Sequence, residues 1–217
     1  QYSFMKSEPL VMLMPNAFGG SSANSLDENS NVIKKLIAKG IPENTAGQVA
    51  GSLPKYWGGL ESTSGPAYIG VIICLLALIG FVLLKHPLRW GLLAASLLAI
   101  IMSWGRFFPG FNVFLFENLP LYNKFRAPSM ALVVLQLTLP IMAVLTVQQL
   151  FFSVNSRENL KANFKKILYT LGGLVALLGL LCLVMDYSSP YDGDAMQRLK
   201  NSGANDEIVR ATLAGLK

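Results

Sequence analysis

Charge is scarce in this chain of 217 residues: only 14% are Asp, Glu, Lys or Arg, where a soluble domain carries about a quarter. Histidine occurs once and cysteine twice. His86 abuts Pro87 with no thiolate or carboxylate near it in sequence, which marks a turn residue rather than a metal ligand. Cys74 and Cys182 both sit inside apolar runs, where thiols act as small hydrophobes, so neither a disulfide nor a metal site is indicated. The 18 basic residues exceed the 12 acidic ones and set a net charge of +6. They are scattered between apolar runs with no basic face, which excludes nucleic acid as a partner. What the chain has in abundance is hydrocarbon: 53% of its residues are hydrophobic, and the mean hydropathy is +0.47.

Four stretches lack any charged side chain: Ala67 to Leu84, Trp90 to Trp104, Ser129 to Ser153 and Ile167 to Met185. At about 1.5 Å per residue, roughly 20 residues cross the ~30 Å hydrocarbon layer, so the first, third and fourth are long enough to span. The second is short and needs Leu88 and its neighbours, a tilt, a partly re-entrant path or local thinning of the bilayer. Gly65-Pro66 puts proline where a helix start tolerates it, and His86-Pro87 separates the first two runs. Pro140 lies inside the third run and removes one backbone hydrogen bond there, either as a tolerated kink or as a hinge or cavity wall. The expected fold class is an all-α membrane protein. Four transmembrane helices, at about 67–84, 88–104, 129–150 and 167–185, form two helical hairpins.

Charge orients the hairpins. Segment 1–66 is balanced, the tail from Asp186 is net negative by one, and the excess lies between them. Lys85, Arg89, Arg157, Lys161, Lys165 and Lys166 fall on one side of the membrane, against Arg106, Lys124 and Arg126 on the other. The majority marks the cytoplasmic side. Segment 1–66, the loop 105–128 and the C-terminal segment 186–217 are then extracytoplasmic. Within 1–66, Leu10 to Met14 is a short apolar run, Asn31 to Lys39 has helical spacing, and Tyr56 and Trp57 read as interfacial anchors. The tail reads as one or two amphipathic helices, at Ala195 to Leu199 and Ile208 to Leu216. With Gln1 at one end and Lys217 amid an apparent helix at the other, the chain reads as an internal fragment.

The loop between the second and third runs is no ordinary connector. Trp104 to Pro128 holds eight of the 22 aromatic residues, with Arg106, Lys124 and Arg126 among them and a short amphipathic element expected from Phe111 to Asn118. One reading is an aromatic belt whose cations snorkel to lipid headgroups. The other is a pocket wall whose cations grip one phosphate, for which the planar fork of arginine is well shaped.

The ordered strings YWGG (56–59), STSGPAYIG (62–70), MSWGRFFPGFN (102–112) and LPLYNKFRAPSM (119–130) flank a pair of apolar runs, with NAFGG (16–20) as a weaker upstream echo. Together they resemble the bacterial YfhO membrane-protein family over roughly residues 50–150. That family is similar to the GT-C class of multi-spanning glycosyltransferases, so the resemblance implies a piece of a larger GT-C-like fold in the bacterial inner membrane. It also implies transfer of a sugar from a polyprenyl-phosphate donor to an extracytoplasmic glycan acceptor, with membrane lipids as further partners. Arg126, Lys124 and Arg106, with Tyr122 and Asn123, would bind the donor phosphate and stabilise charge on it as it departs.

The catalytic base of that class is an acidic residue in the first outer loop, expected N-terminal to this chain. Asp27, Glu28 and Glu43 lie in solvated sequence and do not take that role, and Glu117 reads as an ion-pair partner of the cations. No cofactor is evident; the class admits a divalent metal, but no carboxylate cluster here supports one. A lipid or solute transporter or flippase would want the same cationic loop, though coupled transporters place ionisable groups inside the membrane and these runs have none. A noncatalytic scaffold working through its outer loops is the third reading.

Overall fold

The computed structural model describes residues 2–27, 30–53, 55–60, 62–63, 67–124, 127–153, 156–184, 189–201, 208–210 and 212. The described residues form helices and turns with no strand, so the all-α expectation holds. Two helical stretches, Pro128–Phe152 of 25 residues and Leu160–Leu183 of 24, are long and apolar enough to cross a membrane. The expected four spans are therefore matched in length by two. The first apolar run is irregular up to Gly70, whose φ of 114° is closed to other residue types, and helix α3 (Val71–Leu83) has only 13 residues before Leu84 turns extended. Helix α4 (Leu88–Ser103) has 16 residues, starting directly after Pro87. At about 1.5 Å per residue both fall short of ~30 Å.

The chain forms two compact units: residues 1–15 with 67–185, and residues 16–66 with 186–217. In the first, the hub is helix α6 (Val133–Val147), preceded by a 3-10 turn at Pro128–Leu132 and followed by a π turn at Gln148–Phe152. Helices α3 and α4 both pack along α6 and touch one another less, so the first two runs are held chiefly through a shared third helix. Small and hydroxyl residues are the reason. The Thr146 hydroxyl donates to Leu76 O of α3 at 3.0 Å and to Met142 O at 2.7 Å. Gly80 of α3 sits so close that a Cβ there would collide with the same hydroxyl. On the α4 side, Ser96 Oγ and Thr138 Oγ1 share a buried hydrogen bond of 2.7 Å. Such contacts let apolar helices associate where burial of hydrocarbon gives no preference. Pro140 lies within α6, and the helix continues through it.

Helix α7 (Ser156–Val184) is 29 residues long and packs on α3 and the π turn. Lys161, Lys165 and Lys166, expected in a loop, lie within it, because no breaker separates them from the apolar run that follows. Most of its apolar side chains point outward, with Tyr169 75% and Leu183 86% exposed, while Leu174 is buried and Ile167 packs on Ile79, Leu83 and Leu150. At the start of α4, Arg89 donates to Phe81 O at 3.3 Å and to Leu84 O, capping the end of α3, and its guanidinium lies 5.3 Å from the Trp90 ring. His86 Nδ1 accepts the amide of Leu88 at 3.1 Å and serves the turn, as its neighbouring proline suggests.

The second unit is built on α1 (Asn31–Ala38), capped by the Ser30 hydroxyl, and α2 (Glu43–Gly51). Val32, Leu36, Ala46 and Ala50 form its core with Met196 of helix α8 (Asp192–Asn201) and Val209. Tyr56 and Trp57, expected at a membrane interface, belong to this unit instead. Tyr56 is buried and its hydroxyl accepts the amide of Leu60 at 3.1 Å, while the Trp57 ring lies 4.2 Å from that of Phe18. Gly19, at φ +96°, lies against the backbone of Lys55 with no room for a Cβ, so NAFGG and YWGG are spatial neighbours.

The α3–α6 crossing can be tested by unfolding the full-length protein in detergent. Gly80→Val is expected to cost about 2–3 kcal/mol through overpacking, and Thr146→Val about 1 kcal/mol through lost hydrogen bonds. Thr146→Ala should recover part of the loss from Gly80→Ala, since it removes the colliding hydroxyl; strictly additive costs would show that the two residues do not meet.

Candidate functional site

The loop between α4 and α6 starts and ends on fixed ground. Ser103 closes α4, fully buried, and Gly105 opens a 3-10 turn (Gly105–Phe107) at φ +43°. At the far end, extended Ala127 precedes Pro128, which starts the 3-10 turn into α6 and is itself buried. Between them runs α5 (Pro109–Asn118), where Pro109 occupies the first helical position and needs no amide partner. The short element expected from Phe111 to Asn118 is thus a helix. It is not amphipathic: it has no fully buried residue, and Val113, Phe114 and Phe116 stand more than half exposed. A second 3-10 turn, Tyr122–Lys124, follows.

Helix α5 contacts the turns on either side of it, Gly105–Phe107 and Tyr122–Lys124. Arg106 is exposed, its guanidinium 4.9 Å from the centroid of the Phe107 ring. Tyr122 is buried, and its hydroxyl donates to Asn112 Oδ1 of α5 at 2.6 Å. Lys124 is exposed on the same turn, its amide donating to Leu121 O at 3.0 Å. Asn123 lies on that turn between them. Arg126, the residue on which the phosphate-binding expectation rests most, lies outside the described residues. Leu121 adopts φ +68°, a left-handed conformation that costs a branched side chain roughly 1–2 kcal/mol. It stands 73% exposed, so the tip of the loop presents hydrocarbon beside Lys124. Trp104 stands edge-on to Phe108, centroids 5.8 Å apart, and Phe108 stacks on Phe111 at 6.2 Å.

Residues 2–8, which carry no motif, lie across the loop as a strap. Phe4 N donates to Ser103 O at 3.0 Å, Arg106 N donates to Ser3 Oγ at 3.2 Å, and Ser129 N donates to Tyr2 O at 3.1 Å. Ser3 is fully buried, and a Cβ on Gly105 would strike its hydroxyl. Lys6 adds a third described cation, its ammonium 5.9 Å from the centroid of the Phe108 ring. Glu8 opens the 3-10 turn Glu8–Met12, is 1% exposed, and accepts the amide of Met5 at 2.9 Å. The only sequence signal for it is an acid ahead of Pro9 and an apolar run, which marks a helix start and says nothing of burial.

The other carboxylates stand elsewhere. Glu117 is exposed on α5 and makes no ion pair with a described residue. Asp27 pairs with Lys55 at 2.9 Å in the other unit, Glu43 is exposed in the first turn of α2, and Glu28 lies outside the described residues. Among the described residues no cluster of three or more His, Cys, Asp or Glu could hold a metal. No family model, curated protein or solved structure matches the chain.

Burial pushes the Tyr122 phenol above the ordinary tyrosine value of 10.0. Its stabilising effect is fully present below the unfolded value and is lost as pH rises through the folded one. An ultraviolet titration should therefore show a tyrosine step above the ordinary range. That late step should vanish in Tyr122→Phe, while its persistence would place the late-ionising group elsewhere.

Proposed function

We propose that this chain is part of an integral membrane glycosyltransferase of GT-C-like type. In this reading it takes a sugar from a polyprenyl-phosphate donor at the extracytoplasmic face of the bacterial inner membrane and passes it to a glycan acceptor. The observation that carries the reading is the composition of the α4–α6 loop: Arg106 and Lys124 stand on the turns that flank α5, Lys6 of the strap lies over the Phe108 ring, and the same loop exposes Phe114, Phe116 and Leu121. A phosphate joined to a long hydrocarbon asks for this combination of fixed cations and an apolar surface. A soluble phosphate would need only the cations. Two helices long and apolar enough to cross a membrane, one of them continuous with the loop through Pro128, support its placement at headgroup depth. The resemblance of LPLYNKFRAPSM and its companion strings to YfhO-type proteins points the same way.

The chemistry follows from the position. A departing polyprenyl phosphate gains negative charge as the glycosidic bond breaks, and preorganised cations in a partly dehydrated site favour that state over the bound donor. Arginine can meet two phosphate oxygens at once, which lysine cannot. The acceptor hydroxyl also needs a base. A lipid transporter or flippase is the second reading. It is favoured by an apolar groove of about 450 Å³ between α3 and α6, lined by Ile73, Leu76, Pro140, Val144 and Gln148 among others.

The test is sugar transfer by the full-length protein in liposomes containing a labelled polyprenyl-phosphate sugar. Arg126→Ala is expected to abolish transfer at normal accumulation of protein, and Arg126→Lys to impair it. Arg106→Ala and Lys124→Ala should each weaken donor use by roughly ten- to a hundredfold, the worth of one charge-assisted hydrogen bond. Full transfer by Arg126→Ala would overturn the assignment of Arg126. Scrambling of labelled lipid between leaflets without transfer would favour the flippase.

A further inference from the structure

The strap and the loop it crosses form one hydrogen-bonded circuit. Tyr2, Ser3 and Phe4 bond to Ser129, Arg106 and Ser103, which are the two stems of the loop that carries the cations. Beyond the strap, Met12 O accepts the amide of Ile69 at 3.3 Å and lies 3.8 Å from Cys74 Sγ, at the start of α3. The strap thus ties the end of α4 to the turn into α6, and the segment that follows it reaches the start of α3, so what fixes the strap fixes the loop. Its own bend is at residues 5–8. There Glu8 N donates to Met5 O at 3.0 Å, while the Glu8 carboxylate takes the amide of Met5 at 2.9 Å. A carboxyl group 1% exposed is costly to bury and is retained where it satisfies donors. Glu8 is also followed by Pro9, which stiffens the bend from the other side.

We infer that Glu8 is the positioning residue of the cationic loop: by closing the bend at Met5 it holds Ser3 and Tyr2 against Arg106 and Ser129, and so presets the loop for a lipid phosphate. It acts through the strap and does not touch the donor; its burial fits it to hold the site and not to serve the acceptor as a base. Preset cations bind an anion without first losing the freedom of the loop, so slackening the strap weakens donor binding more than turnover. The identity of the ligand rests on the glycosyltransferase reading; the mechanical role of Glu8 does not.

Amide hydrogen exchange on the full-length protein in nanodiscs reads the mechanical role with no substrate present. Glu8→Ala should speed exchange at Arg106 and Ser129 by about tenfold, the worth of one net hydrogen bond, while α4 and α6 keep their protection. Glu8→Gln keeps a side-chain oxygen for the Met5 amide and should restore most of that protection. Ser3→Ala should release Arg106 without disturbing the Met5 bend. In transfer assays Glu8→Ala should raise the KM for polyprenyl-phosphate sugar about tenfold with kcat changed far less.

Unchanged exchange at Arg106 and Ser129 in Glu8→Ala would overturn the inference. So would loss of protection throughout α4 and α6, which would mark Glu8 as a general stability residue. If exchange behaves as expected while the wild-type protein neither binds polyprenyl phosphate nor transfers sugar, the positioning role stands and the proposed function fails.

Discussion

The helical unit depends on one close approach, Gly80 of α3 against Thr146 of α6. Apolar helices have no reason to prefer each other's surfaces to those of lipid unless their backbones come near enough to pack small groups and exchange hydrogen bonds. Gly80 provides the nearness and Thr146 the bonds, one to its own helix and one across to Leu76 O. With Ser96 and Thr138 doing the same for α4, α6 becomes the axis of the unit. Its position then sets where Pro128 and the loop before it emerge.

The loop is shaped from that axis outward. Its first stem is the end of α4 and its second is the turn into α6, so the gap it must bridge is set by how those helices pack. Gly105 turns at φ +43° because Ser3 occupies the space a side chain would need. Tyr122 is drawn in by Asn112, which leaves Lys124 and Leu121 outside on the same short turn. A polar strap and an apolar helix pair thus produce a surface where cations and hydrocarbon stand side by side. That juxtaposition is the surface the proposed lipid-phosphate donor would use.

Some of this was legible beforehand. Proline marked the break before α4 at Pro87, and the crowding of aromatic and basic residues between Trp104 and Pro128 singled out the loop. Helix lengths were less legible. An apolar run records hydropathy but not where the backbone stops being helical, and the first run loses Ala67 to Gly70 to irregular chain. The shared hub was hidden for a related reason: adjacency in sequence favours neighbours, but a hydroxyl at 138 or 146 chooses its partner by geometry. Tyr56 and Trp57 have the composition of interfacial anchors, and only the chain path shows them held by Leu60 and Phe18.

The sequence by itself determined the all-helical class, the apolar runs and the residue content of the loop, because these follow from local propensity and from the cost of leaving backbone amides unpaired in hydrocarbon. Tertiary structure decided which helix is the hub, which residues brace the loop, and that Glu8 is buried in the strap that crosses it. Those outcomes depend on contacts between residues about a hundred positions apart, such as Ser3 with Arg106 and Phe4 with Ser103. No local pattern encodes such pairs, since hydroxyls and backbone amides carry no signature of the distant partner they will meet.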